Sequence, residues 1–394
     1  ASSVCPTGAS AATRMAARTS YFMDSIFSTH VRLSTILTKA IAAYFDSVDA
    51  MQIKPPLITG TECEGGATLF SLKYPGATGR DDLTAYLTQS SQFALEYSVP
   101  SLGDVYCIAD SFRAEKSQTR RHLCEFEHAE CEWGFVADPT TGDGIARHMD
   151  KLLHMIRGII DKFIEFGESE LKYLTKARRT QDKHATDVYE RVLAIQRAVE
   201  KDPIYLSHAE AIVKCREYGL RPTDVMAPID GEAADVTAPQ REFGDREDIP
   251  EAAERALVDR ISTADLTADE IAAGEQGRLV FLHTFPREFK SFYMAQDAKD
   301  PTYVQGCDVE VHGVGEIIGS GVREADAERL TARMLEQGLK LSDYTDYIAL
   351  RKSAYHYTSG MGLGVGRILC WLLDVKSIRD VVQFPRVPGY VYLG

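Results

Sequence analysis

The sequence lacks the features that mark several large classes. Its eight cysteines (Cys5, Cys63, Cys107, Cys124, Cys131, Cys215, Cys307, Cys370) stand singly, with no C-x-x-C pair. That argues against a zinc ribbon or a disulfide scaffold, and for reduced thiols in a reducing, cytoplasmic compartment. No apolar run approaches the ~18 residues of a membrane span, so no membrane partner is expected. Positive charge is short: 44 Lys and Arg against 58 Asp and Glu give a net charge of −14. An acidic chain is a poor nucleic-acid coat or anionic-membrane binder, although a local basic groove remains possible. There is no internal repeat and no G-x-x-x-x-G-K-[ST] phosphate loop. The segment Ala1 to Arg18 has no acidic residue and no clear apolar stretch; residues 1–28 read as a disordered or tail segment.

What is present is an ordinary soluble composition, 44% hydrophobic and 26% charged over 394 residues. At ~150 residues per domain, that length fits two or three domains or one large α/β domain with insertions. Apolar residues recur at helical spacing from about Tyr21 to Phe45, and again from Ile145 to Phe166, with Leu171 to Val199 continuing as helix. Pro55-Pro56 breaks regular structure. Val105 to Glu132 reads as a β-hairpin with a polar turn around Lys116 to Arg120. Residues 227–256 are acidic and Pro/Ala-rich and suggest an irregular insertion. Three short strands are expected at Arg278 to His283, Cys307 to Val311 and Glu316 to Ile318. A glycine-rich loop, SGMGLGVGR, then leads into an apolar helix. Such strands between long helices favour an antiparallel or mixed sheet with helices around it.

The hairpin is the most informative stretch. Residues two apart in a strand share a face. Arg113 and Glu115 therefore point one way on the first arm, and Phe126, His128, Glu130 and Glu132 share a face on the second. Such a face is either a ligand floor or a solvated hairpin with cross-strand ion pairs. As a floor, Arg113 would fork onto a phosphate or carboxylate, Phe126 would stack on a base and Glu115 would accept from an amine. In GMGLGVGR the glycines at 360, 362, 364 and 366 suit either close backbone approach to a ligand, with Arg367 reaching it, or tight packing. Asp308 and Glu316, with a GVGE turn between them, suit Mg²⁺ held together with substrate phosphates.

Taken together these residues resemble the catalytic core of class II aminoacyl-tRNA synthetases, in the asparaginyl branch of eukaryotic type. The resemblance covers roughly Arg32 to Arg386. FRAEKSQTRRHLCEFEHAECE is similar to the family's second motif and GLGVGR to its third. PPLITGTECEGGATLF, LTQSSQFALE, FPREFKSFYM and VGEIIGSGVR resemble segments around them. The resemblance implies an α+β fold, a six- or seven-stranded antiparallel sheet flanked by helices over residues 29–394, with a helical insertion at about 145–275. It implies ATP and Mg²⁺ as cofactors, and a homodimer with Pro55-Pro56 at the interface. Carried over position by position, Arg113 and Arg367 would be the catalytic cations. Glu115 and Phe126 would hold adenine, and Arg121 and His122 would lie near the outer phosphates. Asp308 and Glu316 would hold Mg²⁺. Glu64 and Gln92 would bind the substrate α-amino group, and Glu130 and Arg323 would read its side chain. Leu95 stands where aspartate-specific relatives carry lysine, which favours asparagine over aspartate.

The sequence also departs from the family. Its anticodon-reading OB barrel, roughly a hundred residues long, has no room before a core that begins within about thirty residues of Ala1. Gly366 replaces an acidic residue before the third-motif arginine, and Tyr357-Thr358-Ser359-Gly360 replaces a PHGG-like stretch. Lys73 to Ala85 is longer than the usual connection. With the acidic charge, these departures make tRNA an unexpected partner. The leading expectation is activation of asparagine, or a close analogue, as an adenylate, with acyl transfer to an unidentified small-molecule acceptor. The alternatives are a tRNA-charging asparaginyl-tRNA synthetase core, an asparagine synthetase using aspartate and ammonia, and an inactive binding module. Tyr355, His356 and Tyr357 are the candidates for a new acceptor pocket. His30, His148, His154, His184 and His208 read as surface or packing residues, and Lys172, Lys176, Arg178 and Arg179 as a solvated helix face.

Overall fold

The computed structural model describes residues 22–63, 69–78, 80–115, 119–134, 143–222, 241–353 and 357–389. Within them the strands are β1 (Met51–Gln52), β2 (Ile58–Thr59), β3 (Ser71–Tyr74), β4 (Leu83–Leu87), β5 (Val105–Phe112), β6 (Glu125–Trp133), β7 (Ile204–Ser207), β8 (Val280–Pro286), β9 (Tyr303–Val311), β10 (Gly315–Val322) and β11 (Ser359–Gly364). The helices are α1 (Ser25–Ser47), α2 (Gln92–Leu102), α3 (Gly144–Gln181), α4 (Val188–Glu200), α5 (His208–Glu217), α6 (Glu251–Ser262), α7 (Ala268–Ala272), α8 (Ala327–Glu336), α9 (Thr345–Lys352) and α10 (Val365–Leu373).

The helix starts follow from local chemistry. The Asp24 carboxylate accepts from the amides of Ile26 and Phe27 at 2.9 and 3.0 Å and caps α1. Phe27, Leu33, Leu37, Ile41 and Phe45 then bury one stripe of that helix. The expected helices at 145–166 and 171–199 are one unbroken α3 to Gln181, a gap at 182–187, and then α4, capped by Asp187. Gly158 lets α3 close on α1, because a Cβ there would run into the Tyr44 ring. Part of the stretch read as irregular is helical: α6 begins at Glu251.

The main sheet has eight strands in the order β1-β5-β6-β11-β10-β9-β8-β7. It is antiparallel except for its two edges, where β1 pairs with β5 and β7 with β8 in parallel. The expected hairpin is present, with Val105 opposite Glu132 and Phe112 opposite Glu125. The stretch read as a glycine-rich loop is corrected: Ser359–Gly364 is β11, at the centre of the sheet between β6 and β10. A second sheet, β2-β4-β3, carries the long connection Lys73 to Ala85 as a hairpin. On the back of the main sheet, α1, α3, α4 and α10 form one apolar core with it. A second core, under α5, α6, α8 and α9, lies toward β7, β8 and the start of β9.

His30, His148 and His208 are buried packing residues, whereas His154 and His184 are exposed. Of the basic cluster, Lys172, Lys176 and Arg179 face solvent, but Arg178 ties α3 to α10 by donating to the Leu373 carbonyl at 2.8 Å and to His30. Burial, reinforced by Arg178, lowers His30 from 6.5 to about 4; burial, reinforced by Arg323, lowers His148 to about 3. A folded-state value below the unfolded one means that the unfolded chain binds more protons as pH falls below 6.5. Stability is complete above that pH and is lost as pH falls toward 4. Each of the two histidines is expected to cost about 2 kcal/mol at pH 5. Urea midpoints at pH 7.5 and 5 check this, and unchanged midpoints would refute it.

Candidate active site

The site rests on one face of the main sheet, paved with glycine. Directly paired residues of antiparallel strands share a face. One row across the sheet reads Glu130 (β6), Gly362 (β11), Gly319 (β10) and Asp308 (β9); the next reads Glu132, Gly360, Gly321 and Gly306. Two central strands therefore present no side chain along these rows. Their absence leaves a trough about 14 Å wide between Glu130 and Asp308, at ~4.8 Å per strand. The cavity over this floor has a volume of about 390 Å³. The alternation of glycines at 360, 362 and 364 is thus a strand period with one bare face.

Arg113, Glu115, Arg121, His122, Phe126 and Arg367 all line the cavity. The first two lie just beyond β5 rather than on it. The Arg113 amide donates to the Cys124 carbonyl at 2.9 Å, and its guanidinium stands 5.4 Å from the centre of the Phe126 ring. Arg367 lies in the first turn of α10 and donates to Glu316 Oε2 at 3.2 Å. Arg121 lies 3.1 Å from Glu251 on α6 and donates to the Glu316 carbonyl. Burial, then the Arg367 charge, lowers the pKa of His122.

Asp308 and Glu316 do converge. The pairing of β9 and β10 shifts register between Glu316 and Ile318. This bulge turns Glu316 onto the Asp308 face, where strict alternation would have put it on the back. A Cβ on Gly319 would lie 3.0 Å from Glu316 Oε1 and 3.9 Å from Asp308 Oδ1, so the bare glycine leaves both carboxylates one shared space. Burial raises Asp308 to about 6 against the pull of Lys290, whose Nζ lies 2.5 Å from Oδ2. For Glu316 burial acts upward, but Arg367, Arg121 and Lys290 prevail and bring it to about 2. No group of three or more ligating side chains forms a closed metal cage among the described residues. A pair of carboxylates facing one shared space is a donor set that suits Mg²⁺ completed by substrate oxygens and water.

At the other end, Gln92, Leu95, Glu130 and Arg323 line the same cavity. Glu130 is held by the Ser90 hydroxyl and, at 2.8 Å, by the amide of Ser91, the residue just before α2. Arg323 forks onto Glu132 with its Nε and Nη2, at 3.0–3.2 Å, and Glu132 also accepts from Thr358 Oγ1 at 2.6 Å. Burial raises Glu132 to about 7, although Arg323 opposes it. Glu64, Tyr355 and His356 lie outside the described residues.

Lys290, the Glu132–Arg323 pairing and the filling of the space beside Gly366 were not legible. Lys290 is half-buried beside Asp308; its only signal was its place in FPREFKSFYM. Glu132 was placed on the floor by alternation, but its pairing with Arg323 spans 191 positions. The side-chain space beside Gly366 is filled by Ile378, whose Cγ1 would meet an added Cβ at 2.8 Å. Gly360→Ala should disrupt the site, because its Cβ would strike Glu132 and Arg323 Nη2. Under the activity proposed below, turnover is expected to fall at least ~100-fold with a stability loss of about 1–3 kcal/mol; wild-type activity in Gly360→Ala would refute this.

A family model described as "tRNA synthetases class II (D, K and N)" matches residues 10–388. The chain is 33% identical over 359 residues to the cytoplasmic asparagine–tRNA ligase of Debaryomyces hansenii, covering 91% of this chain and 54% of that one. It is 32% identical over 356 residues to the cytoplasmic asparagine–tRNA ligase of Bos taurus, covering 90% and 53%. The chain thus spans about half the length of the curated relatives it matches. Among solved structures, asparaginyl-tRNA synthetase from Pyrococcus horikoshii complexed with asparaginyl-adenylate superposes with a TM-score of 0.75 and 28% identity, covering 98% of this chain and 74% of that one.

Proposed function

Because the chain belongs to the class II tRNA synthetase family (D, K and N), we propose that its cavity activates asparagine with ATP and charges tRNA with it. The observation that carries this is the single trough with Arg113, Phe126 and Arg367 along one part and Glu130 and Arg323 at the amino-acid end. The expectation of a small-molecule acceptor without tRNA gives way. It rested on a missing barrel and the acidic charge; the chain spans only about half of each curated relative, so where it begins decides nothing. The relatives are themselves tRNA ligases.

In this reading the substrate carboxylate attacks the α-phosphorus in line. The bond to the bridging oxygen breaks, pyrophosphate leaves and asparaginyl adenylate remains. The nucleophile is already ionised, so no general base is required. Arg113 and Arg367 stabilise charge on the α-phosphate as it develops, and Phe126 and Glu115 fix the adenine. Asp308 and Glu316 would hold Mg²⁺, which supplies charge neutralisation on the phosphates. A ribose hydroxyl of tRNA then attacks the acyl carbon and AMP departs. Leu95, 1% exposed, offers no cation to a substrate carboxylate. We further propose a cytoplasmic homodimer. In support, Val48, Met51, Leu57 and Ile58 are exposed around Pro55-Pro56. No helix of the described residues is long and apolar enough to cross a membrane.

Aminoacylation of total tRNA by the full-length gene product with labelled asparagine tests the reading. Label on tRNA is expected; adenylate formation without label on any tRNA would return the reading to a small-molecule acceptor.

A further inference from the structure

Gln92 opens α2 and lines the cavity, and its Nε2 donates to Glu96 Oε1 at 2.8 Å. A glutamine amide can present either its oxygen or its nitrogen, and its partner decides which. Glu96, one turn further along α2, is fully buried. It receives the Tyr347 hydroxyl at 2.8 and 3.0 Å and the Arg351 guanidinium. Both come from α9, and Arg351 is itself fixed by donating to the Glu324 carbonyl at 2.9 Å. Burial acts to raise Glu96, but Arg351 and Arg323 outweigh it and its pKa is lowered. It is therefore a pure acceptor with no freedom to turn. Flipping Gln92 would set oxygen against a buried carboxylate.

We infer that Glu96 is a positioning residue for the substrate's α-ammonium group: by taking the Gln92 nitrogen it turns the Gln92 oxygen into the cavity. An ammonium brings donors only and needs acceptors around it. The inference rests on the reading that asparagine occupies this end of the trough. It places part of amino-acid recognition in a residue that never meets the ligand.

Succinamic acid, which is asparagine without its α-amino group, separates this role from a structural one. Glu96→Gln can present its own nitrogen to Gln92 and release the amide. The expected result is an asparagine KM about 10–100-fold higher in pyrophosphate exchange, the worth of one hydrogen bond to a charged group. The succinamic acid inhibition constant and the ATP KM should stay within about two-fold. Equal weakening of asparagine and succinamic acid would overturn the inference, and so would an unchanged asparagine KM. Should Glu96→Gln fail to fold, Glu96→Gln with Arg351→Gln removes both charges of the pair and gives the same readout. Failure of the underlying reading shows earlier, as wild-type protein that performs no asparagine-dependent exchange, and it takes this inference with it.

Discussion

Arg113→Ala is expected to lower kcat/KM for asparagine-dependent pyrophosphate exchange by about 10³-fold, the loss typical of a cation that acts on a transferring phosphoryl group. The side chain sits where two demands meet. Its backbone is pinned by the Cys124 carbonyl, and its guanidinium lies by the Phe126 ring. A planar fork in that place can hold a phosphate oxygen and a carboxylate oxygen together, bringing nucleophile and phosphorus into line. Lysine carries the charge but not the fork, so Arg113→Lys should recover little. The fold should not suffer, since the residue lies beyond the end of β5. Initial rates and a thermal melt of the same preparation check both statements; exchange within ten-fold of wild type would remove Arg113 from the chemistry.

Arg323→Ala should have the largest combined effect. Glu132 is fully buried, and the Arg323 guanidinium is the cation that faces it. Removing one member of a buried pair typically costs about 3–5 kcal/mol. Without the guanidinium, Glu132 is left to take up a proton. In the proposed reading the same arginine donates to the carboxamide oxygen of the substrate, so asparagine use should fall with stability. Combining Arg323→Met with Glu132→Gln removes both charges and should restore most of the stability, because neutral replacements of buried pairs are often tolerated. It should not restore asparagine-dependent exchange. Urea denaturation beside exchange kinetics distinguishes the two roles. Recovery of both stability and exchange in the double variant would reduce the pair to packing.

The hairpin was legible because its alternation of Phe126, His128, Glu130 and Glu132 is a local, period-two signal. The strands carrying Asp308 and Glu316 were legible for the same reason. β11 was not, because glycine at every second position looks like a flexible loop until partners on both sides are known. Its bare face has meaning only beside Glu130 and Glu132, which come from β6, and Arg323, which follows the end of β10. The turning of Glu316 depends on one bulge that nothing in GEIIGSGV announces. The Glu96 network joins α2 to α9 across some 250 positions, a distance over which spacing carries no information. The acidic charge was legible, but it describes the whole chain and not the cavity, whose lining carries both signs: Arg113, Arg121, Lys290, Arg323 and Arg367 beside Glu115, Glu127, Glu130, Glu132, Asp308 and Glu316.

In the proposed reading this trough activates asparagine and discriminates against aspartate. Leu95 offers no cation, and Arg323 is already matched by Glu132, so a substrate carboxylate would bring an uncompensated charge into a buried site. ATP–pyrophosphate exchange across an amino-acid panel measures this directly. Asparagine should support exchange at least ~100-fold better than aspartate in kcat/KM. Exchange driven equally by aspartate, or by neither amino acid, would contradict the account.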